Sequence, residues 1–307
     1  MSNIFKGVMP AVTTKFDSTG ALDLDLFAKN IDAQLGAGVH GIILGGTLGE
    51  ASTLTSDEKR ELVRFTVSYV KGKVPIVLNI AESRTSDAIQ VAQQAKADGA
   101  AGLMLLPPMR YKADGAETLA YFEAISNSTD LPIMIYNNPV DYGIEVTLDM
   151  FAYMAENCPN IIAVKESTRD ISNITRMKNL FGNRFTILCG VDTLAMESLA
   201  MGADGWVAGL VCAFPAETVC IYELIQKEDF EAFKQAREIY RWFLPLLELD
   251  INPKLVQNIK LAEHYTGIGS PNVRGPRQEL TGAELELVKN IIESSLATRP
   301  LLPDYKN

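Results

Sequence analysis

Residue types with distinctive chemistry are scarce in this 307-residue sequence. It has four cysteines, and no two of them show the C-x-x-C spacing of a redox or zinc motif. We therefore expect them to be reduced and to fill apolar space: Cys158, Cys189, Cys212 and Cys220. The only two histidines, His40 and His264, have no partner at metal-ligand spacing, which argues against a histidine-based metal centre.

Positive charge and long apolar runs are also lacking. Lysine and arginine number 28 against 38 aspartates and glutamates, and the net charge is -10. A nucleic-acid partner is not expected, because phosphate binding needs clustered basic residues. No apolar run approaches the roughly 20 residues that span a bilayer, and residues 1–6 lack the design of a signal peptide. We expect a cytoplasmic protein without a membrane partner.

Two common enzyme motifs are missing as well. There is no G-x-S-x-G nucleophile elbow, and no G-x-G-x-x-G follows the first predicted strand. Because histidines are so few, lysine and tyrosine must carry any acid–base work. Neither a metal ion nor an organic cofactor is expected.

What the sequence does contain is a regular alternation of short apolar runs and longer amphipathic segments. Buried parallel strands read as continuous apolar runs, and strands alternating with helices indicate βαβ units. Eight such units predict a closed (β/α)8 barrel better than an open sheet. The predicted strands are residues 7–14, 41–44, 75–80, 102–106, 132–136, 161–165, 186–189 and 205–208.

The strand signal stops after Gln226. Three helices are predicted in the remainder of the chain, at 228–245, 253–266 and 281–297. The predicted organisation is therefore a barrel at 1–226 and a three-helix C-terminal extension at 227–307, packed on the barrel. The uncharged segment 242–247 is expected to pack against the barrel or another subunit.

Lys165 and Tyr136 end the sixth and fifth predicted strands. Both side chains should emerge at the C-terminal rim, where such barrels carry their active sites. A buried lysine can act as an unprotonated amine that attacks a carbonyl, and a neighbouring tyrosine can transfer protons. Most lysines lie on the surface, but four apolar residues precede this one, so we favour a catalytic function.

A glycine-rich turn, GGTLGE at 45–50, follows the second predicted strand. Glycines let the backbone approach a ligand, and consecutive N–H groups in such a turn can bind a carboxylate. A tight βα turn without function is the common alternative. The turn's place on the same rim as Lys165 favours a binding function.

Several ordered motifs resemble the dihydrodipicolinate synthase/N-acetylneuraminate lyase superfamily. They are GTLGE at 46–50, YNNP at 136–139, KES at 165–167, GVD at 190–192 and GADG at 202–205. The similarity extends from PAVTT at 10–14 to the C-terminal helices.

This resemblance implies a homotetrameric barrel with a helical tail and Schiff-base chemistry on 2-oxo acids. Lys165 would form the Schiff base, Tyr136 would move protons, and the amides of Thr47 and Leu48 would bind the substrate carboxylate. The further substrate contacts implied are Ser167, Gly190 and Asn138.

The chain departs from the synthases at three places. Leu48 replaces the second threonine of their Thr-Thr turn, and Asp141 stands where they carry an arginine. Their tyrosine pair after the fourth strand reads Met109-Arg110, with Tyr111 one position late. Sialic acid lyases have a hydroxyl-bearing residue at the same position, where this chain has Leu48. These differences argue against dihydrodipicolinate synthesis and against a long polyhydroxylated substrate.

A narrower resemblance points to the branch that deaminates 1-pyrroline-4-hydroxy-2-carboxylate in hydroxyproline breakdown. It is carried by the segments 106–112, 136–139, 240–247 and 254–262. The alternatives are a pyruvate-dependent aldolase, a hydratase-aldolase, 4-hydroxy-tetrahydrodipicolinate synthase, or a non-catalytic sensor of 2-oxo acids.

Several polar residues near the predicted rim have open assignments. Glu82 and Arg84 either reach a ligand or cap the next helix, and Asn137 either binds a hydroxyl or shapes its turn. We expect Arg110 to pair with an acidic neighbour. We expect Asp192 to be the N-cap of a helix starting near Thr193.

Overall fold

A computed structural model describes residues 3–108, 111–251 and 253–305 of the chain. Within these residues, eight parallel strands form one sheet in the order β1-β8-β7-β6-β5-β4-β3-β2. A parallel bridge between Ala11 and Ile43 brings the two ends of the sheet together. The strands are β1 Gly7–Pro10, β2 Ile42–Leu44, β3 Ile76–Ile80, β4 Gly102–Leu105, β5 Ile133–Asn137, β6 Ile161–Glu166, β7 Thr186–Cys189 and β8 Gly205–Ala208.

Helices connect successive strands, so the predicted (β/α)8 barrel is confirmed. The helices of the first half are α1 Leu24–Ala37, α2 Ser56–Val70, α3 Thr85–Ala97, α4 Gly115–Ser126, α5 Pro139–Tyr142 and α6 Leu148–Asn157. Those that complete the barrel are α7 Ser172–Phe181, α8 Ala195–Ala200 and α9 Pro215–Gln226. The C-terminal helices are α10 Phe230–Leu247, α11 Leu255–Tyr265 and α12 Gly282–Ala297. The predicted division at residue 226 stays a prediction.

Local sequence explains where the helices begin. Thr55 and Glu58 form a reciprocal capping box at the start of α2, and the acidic side chains in its first turn favour the helix dipole. The N-cap of α2 is therefore Thr55. On α3, Ala88, Ala92 and Ala95 face the sheet, as the spacing of three to four residues predicts.

The apolar segment 242–247 is largely covered within the chain itself. Phe243, Leu246 and Leu247 are fully buried, and the Trp242 Nε1–H donates to the carbonyl oxygen of Ser295 in α12 at 3.0 Å. The segment was expected to pack against the barrel or another subunit, and it packs within its own chain. Its apolar character alone does not require a second subunit.

None of the described helices combines the length and the apolar character that a membrane crossing needs.

Candidate active site

Lys165 and Tyr136 lie side by side at the C-terminal ends of β6 and β5. The two residues are register partners in the parallel ladder. The Lys165 Nζ lies 3.9 Å from the centroid of the Tyr136 ring. Both side chains are more than nine-tenths buried and line one cavity at the rim. This contact places an amine against a phenol in a site largely shielded from water.

Gly190, at the end of β7, leaves room for the lysine side chain. A Cβ at this position would lie 2.6 Å from Lys165 Cε and 2.1 Å from Ser167 Oγ, closer than atoms can approach. Ser167 is buried, and its Oγ has no hydrogen-bond partner among the described residues. Buried polar atoms are normally satisfied, so this hydroxyl is available to a ligand in the same cavity.

Gly46, Thr47 and Leu48 of the turn at 46–50 line the same cavity. Its internal hydrogen bonds use the amides of Glu50 and Ala51 as donors. Within the described part of the chain, the amides of Thr47 and Leu48 have no acceptor. Two adjacent N–H groups without acceptors suit a carboxylate oxygen. The Leu48 side chain is buried and adds apolar surface to the cavity.

Tyr142 brings a second phenol to the site, which no sequence motif had indicated. Its hydroxyl lies 2.7 Å from Thr47 Oγ1, and its ring packs edge-on against the Tyr136 ring. Burial raises the pKa of Tyr142, and its contact with Tyr136 adds to this rise. Thr47, the first threonine position of the turn, therefore keeps a hydroxyl contact although Leu48 cannot.

Asn138 and Asn137 behave differently. The Asn138 Nδ2 donates to the Tyr136 hydroxyl at 3.1 Å and to Asp141 Oδ2 at 2.7 Å, so this side chain touches the site. Asn137 instead exchanges hydrogen bonds with the backbone of Val146, at 3.1 and 3.0 Å. Asn137 therefore shapes the turn, and Asn138 orients the phenol.

Two buried ion pairs support the 46–50 turn from behind. Glu50 pairs with Lys260 of α11 at 2.5 Å, and Lys15 pairs with Glu263 at 2.9 Å. All four side chains are completely buried. Burial lowers the pKa of Lys260 to about 8, and burial raises the pKa of Glu263. The C-terminal extension thus contacts the proposed carboxylate-binding turn directly, which no local pattern in the sequence indicated.

Asp192 does not cap the helix that begins near it, so that prediction is wrong. The 3-10 turn Asp192–Leu194 has no side-chain cap. The Asp192 carboxylate instead accepts hydrogen bonds from Trp206 Nε1 at 2.8 Å and from the Leu210 amide at 2.8 Å. Desolvation by burial raises the pKa of Asp192. Donors from distant parts of the chain satisfy this buried carboxylate, so it is not used to cap the local helix.

The other described residues with open assignments do not line the cavity that contains Lys165. Glu82 pairs with Lys59 at 2.9 Å in a neighbouring cavity, and Arg84 pairs with Asp87 on the surface. Arg110 lies outside the described residues, while Tyr111 is exposed. Among the residues described, no three His, Cys, Asp or Glu side chains gather as a metal site requires.

Known proteins resemble the chain over nearly its whole length. Residues 4–295 match the model of the Dihydrodipicolinate synthetase family. The 4-hydroxy-tetrahydrodipicolinate synthase of Exiguobacterium sibiricum is 33% identical over 282 residues, which cover 91% of this chain and 94% of the relative. The crystal structure of dihydrodipicolinate synthase from Thermotoga maritima is 28% identical with a TM-score of 0.88, covering 95% and 99% of the two chains. A monomeric dihydrodipicolinate synthase variant gives 27% identity and a TM-score of 0.87, covering 95% and 97%. The chain therefore belongs to the dihydrodipicolinate synthetase family of Schiff-base-forming lyases.

Proposed function

We propose that this enzyme forms a Schiff base between Lys165 and a small 2-oxo acid or its cyclic imine, and that it deaminates 1-pyrroline-4-hydroxy-2-carboxylate. The observation that carries the proposal is the buried contact of Lys165 Nζ with the Tyr136 ring, 3.9 Å from its centroid. A lysine in such surroundings can attack C2 of the substrate, and the adjacent phenol can carry protons.

The first steps follow from the groups around the cavity. The amides of Thr47 and Leu48 would hold the carboxylate, which places C2 against the Lys165 amine. The amine adds to C2, the bond from C2 to the ring nitrogen breaks, and that nitrogen leaves C2 as a primary amine on C5. The product is an open-chain iminium between Lys165 and C2.

The iminium acidifies C3, and the remaining steps use that effect. Tyr136, a phenolate once its proton has gone to the leaving ring nitrogen, accepts a proton from C3 and returns it to the 4-hydroxyl, which leaves as water. Tautomerisation then moves the double bond to C5 and its nitrogen. Water hydrolyses this imine to an aldehyde and ammonia, and a second water releases Lys165. One substrate and one net water give 2,5-dioxopentanoate and ammonia.

Tyr142 and Asn138 support the proton transfers. The Tyr142 hydroxyl joins Thr47 to the Tyr136 side of the cavity, and Asn138 donates to the Tyr136 hydroxyl. Hydrogen bonds of this kind orient a phenol and stabilise its charge when it gives up a proton. No metal ion or organic cofactor enters this sequence of steps.

A second candidate function is 4-hydroxy-tetrahydrodipicolinate synthesis. The relative from Exiguobacterium sibiricum carries that name, and the hydroxyl contact of Thr47 with Tyr142 supports a proton relay at the turn. Leu48 and Asp141 speak against it, because they replace a threonine and an arginine of the synthases. A pyruvate aldolase shares the early steps and differs in the bond that breaks after the enamine.

The test is borohydride reduction in the presence of pyruvate, followed by mass spectrometry. We expect a reduced adduct on Lys165 and none with Lys165→Ala or Lys165→Arg. Product analysis then separates the candidates: ammonia from the hydroxypyrroline supports the deaminase, and pyruvate from a 4-hydroxy-2-oxo acid supports the aldolase. Condensation of pyruvate with aspartate semialdehyde supports the synthase. Absence of both adduct and turnover favours a non-catalytic 2-oxo-acid sensor.

A homotetramer is the assembly that the family resemblance implies, and it is part of this proposal. Sedimentation at micromolar concentration tests it.

A further inference from the structure

An arginine and an aspartate face each other at the mouth of the cavity. Arg169, in the loop after β6, places its Nη2 3.4 Å from Asp141 Oδ1. Both residues line the same cavity as Lys165 and Tyr136, and both side chains are about half exposed. Because both groups are half exposed while Lys165 is buried, they lie toward the open end of the cavity, which the far end of a substrate bound to Lys165 would reach.

The backbone of Arg169 has an unusual conformation. Its φ is +64°, in the left-handed region that residues with a side chain rarely adopt. Glycine would take this conformation more easily. The solvent-exposed ion pair to Asp141 adds little stability, so it does not explain why arginine occupies a strained position. Strain of this kind is typical of functional sites.

Asp141 is held in place by the site itself. The Asn138 Nδ2 donates both to Asp141 Oδ2 and to the Tyr136 hydroxyl. The Asp141 amide also donates to Asn138 Oδ1 at 3.2 Å, at the start of α5. One carboxylate oxygen is therefore tied to the proposed catalytic tyrosine through a single amide, while the other oxygen faces Arg169.

The pair combines a fixed acceptor with a longer, more adaptable donor. A carboxylate near it would be repelled by Asp141, and an ammonium group would be repelled by Arg169. A hydroxyl group can donate to Asp141 and accept from Arg169 at the same time. We propose that Arg169 and Asp141 bind a hydroxyl group on the substrate beyond C3, and so select 2-oxo acids or cyclic imines that are hydroxylated there.

This inference rests on the proposed function, because Lys165 and the 46–50 turn must first anchor the other end of the substrate. It adds the substrate class: the distal hydroxyl, and not a second carboxylate, is what the cavity mouth recognises. Arg169 and Asp141 would determine specificity, whereas Lys165 and Tyr136 would carry the chemistry.

The experiment compares two ligands that differ only in the hydroxyl: 1-pyrroline-2-carboxylate and 1-pyrroline-4-hydroxy-2-carboxylate. The half-saturating concentration for adduct formation on Lys165 is measured for each by borohydride reduction and mass spectrometry, with pyruvate as the short reference. We expect the wild type to prefer the hydroxylated ligand. Arg169→Ala should reduce that preference about tenfold and should raise the half-saturating pyruvate concentration much less. Arg169→Lys should restore part of the preference.

Three further variants sharpen the test. Arg176→Ala removes an arginine that pairs on the surface with Asp170, in the same region of the chain, and should behave as the wild type. Asp141→Asn removes the repulsion of anions and should improve adduct formation with 2-oxoglutarate. Arg169→Gly should lose the preference while its thermal midpoint stays at or above that of the wild type, because glycine tolerates this φ.

The outcomes separate the two proposals. If the wild type forms no adduct with pyruvate, the proposed function fails. If adducts form but Arg169→Ala leaves the ratio between the two pyrroline ligands unchanged, only the hydroxyl assignment fails. The hydroxyl assignment is also overturned if Arg169→Ala weakens adduct formation equally with pyruvate and with the hydroxylated ligand. A weakening confined to 2-oxoglutarate overturns it as well.

Discussion

Replacing Lys260 by methionine tests whether the C-terminal extension holds the 46–50 turn in place. The change leaves the Glu50 carboxylate buried without its main partner, and removes the Lys260 donation to the Asn272 carbonyl oxygen at 2.6 Å. Removing one partner of a buried pair costs about 3–5 kcal/mol. We expect the free energy of unfolding to fall by an amount near the lower end of this range. The Arg274 amide still donates to Glu50 Oε2 at 3.1 Å, and the Arg277 Nη1 lies 3.9 Å from the same oxygen.

Urea unfolding measures this loss, and adduct formation with pyruvate measures its effect on the site. The half-saturating pyruvate concentration should rise, since the turn that carries the Thr47 and Leu48 amides loses its support. Combining Lys260→Met with Glu50→Gln should cost less than the sum of the single changes, because the double variant buries no unpaired charge. Lys96→Met is the control, because Lys96 pairs with Asp130 on the surface. A Lys260→Met loss no larger than that of Lys96→Met refutes the reasoning.

The same lysine predicts a pH dependence of stability. Burial lowers the pKa of Lys260 from its ordinary value of 10.5 to about 8. Between these pH values the unfolded chain binds more protons at this position than the folded chain does. The contribution of Lys260 to the free energy of unfolding therefore rises from about pH 8 to pH 10.5. The difference in stability between wild type and Lys260→Met should widen over this interval; a narrowing contradicts the assignment.

Three further substitutions test the site. Gly190→Ala should cut adduct formation on Lys165 at least about hundredfold while the protein stays folded, because the new methyl group would displace the lysine. Gly36→Ala is the control, because its added methyl group meets no atom within 4 Å. Equal adduct yields from the two variants would contradict the geometry. Tyr142→Phe should lower kcat about tenfold or more with a smaller change in KM, and a change in KM alone argues against a proton relay. Leu48→Thr should weaken ligand binding roughly tenfold through lost apolar contact and should not confer dihydrodipicolinate synthesis; substantial synthase activity would overturn the choice of branch.

The fold was largely predictable from the sequence because of the burial of the strands. Each strand of a parallel barrel is covered on both faces, so it reads as an uninterrupted apolar run. Ends were less certain: the first strand was predicted to reach residue 14, but β1 ends at Pro10. Thr13 and Thr14 continue the β-branched pattern, yet their hydroxyls bond to Glu263 and to the Gly49 carbonyl oxygen. Local pattern cannot show such distant partners.

The site was predictable only where strand ends define it. Lys165 and Tyr136 terminate adjacent strands, and the register of the barrel brings them together. Tyr142 ends the short helix α5 and Arg169 lies in a loop, and the paths of such connections depend on tertiary contacts and carry no periodic signal. Lys260 lies on a helix where an exposed lysine is the ordinary expectation. Its burial follows from the position of Glu50, 210 residues earlier in the chain.

The pairing of Glu50 and Lys15 with α11 also has a consequence for protein synthesis. The chain leaves the ribosome from its N-terminus, so all eight barrel strands emerge before Lys260 and Glu263 do. Until then the Glu50 carboxylate and the Lys15 ammonium group lack their charged partners, and water must solvate them. A nascent chain that has exposed all eight strands but not α11 thus lacks the partners that close the region behind the 46–50 turn. Docking of the C-terminal helices then supplies these partners, so a stop codon before residue 260 would yield a chain whose 46–50 turn lacks its ion pair with α11.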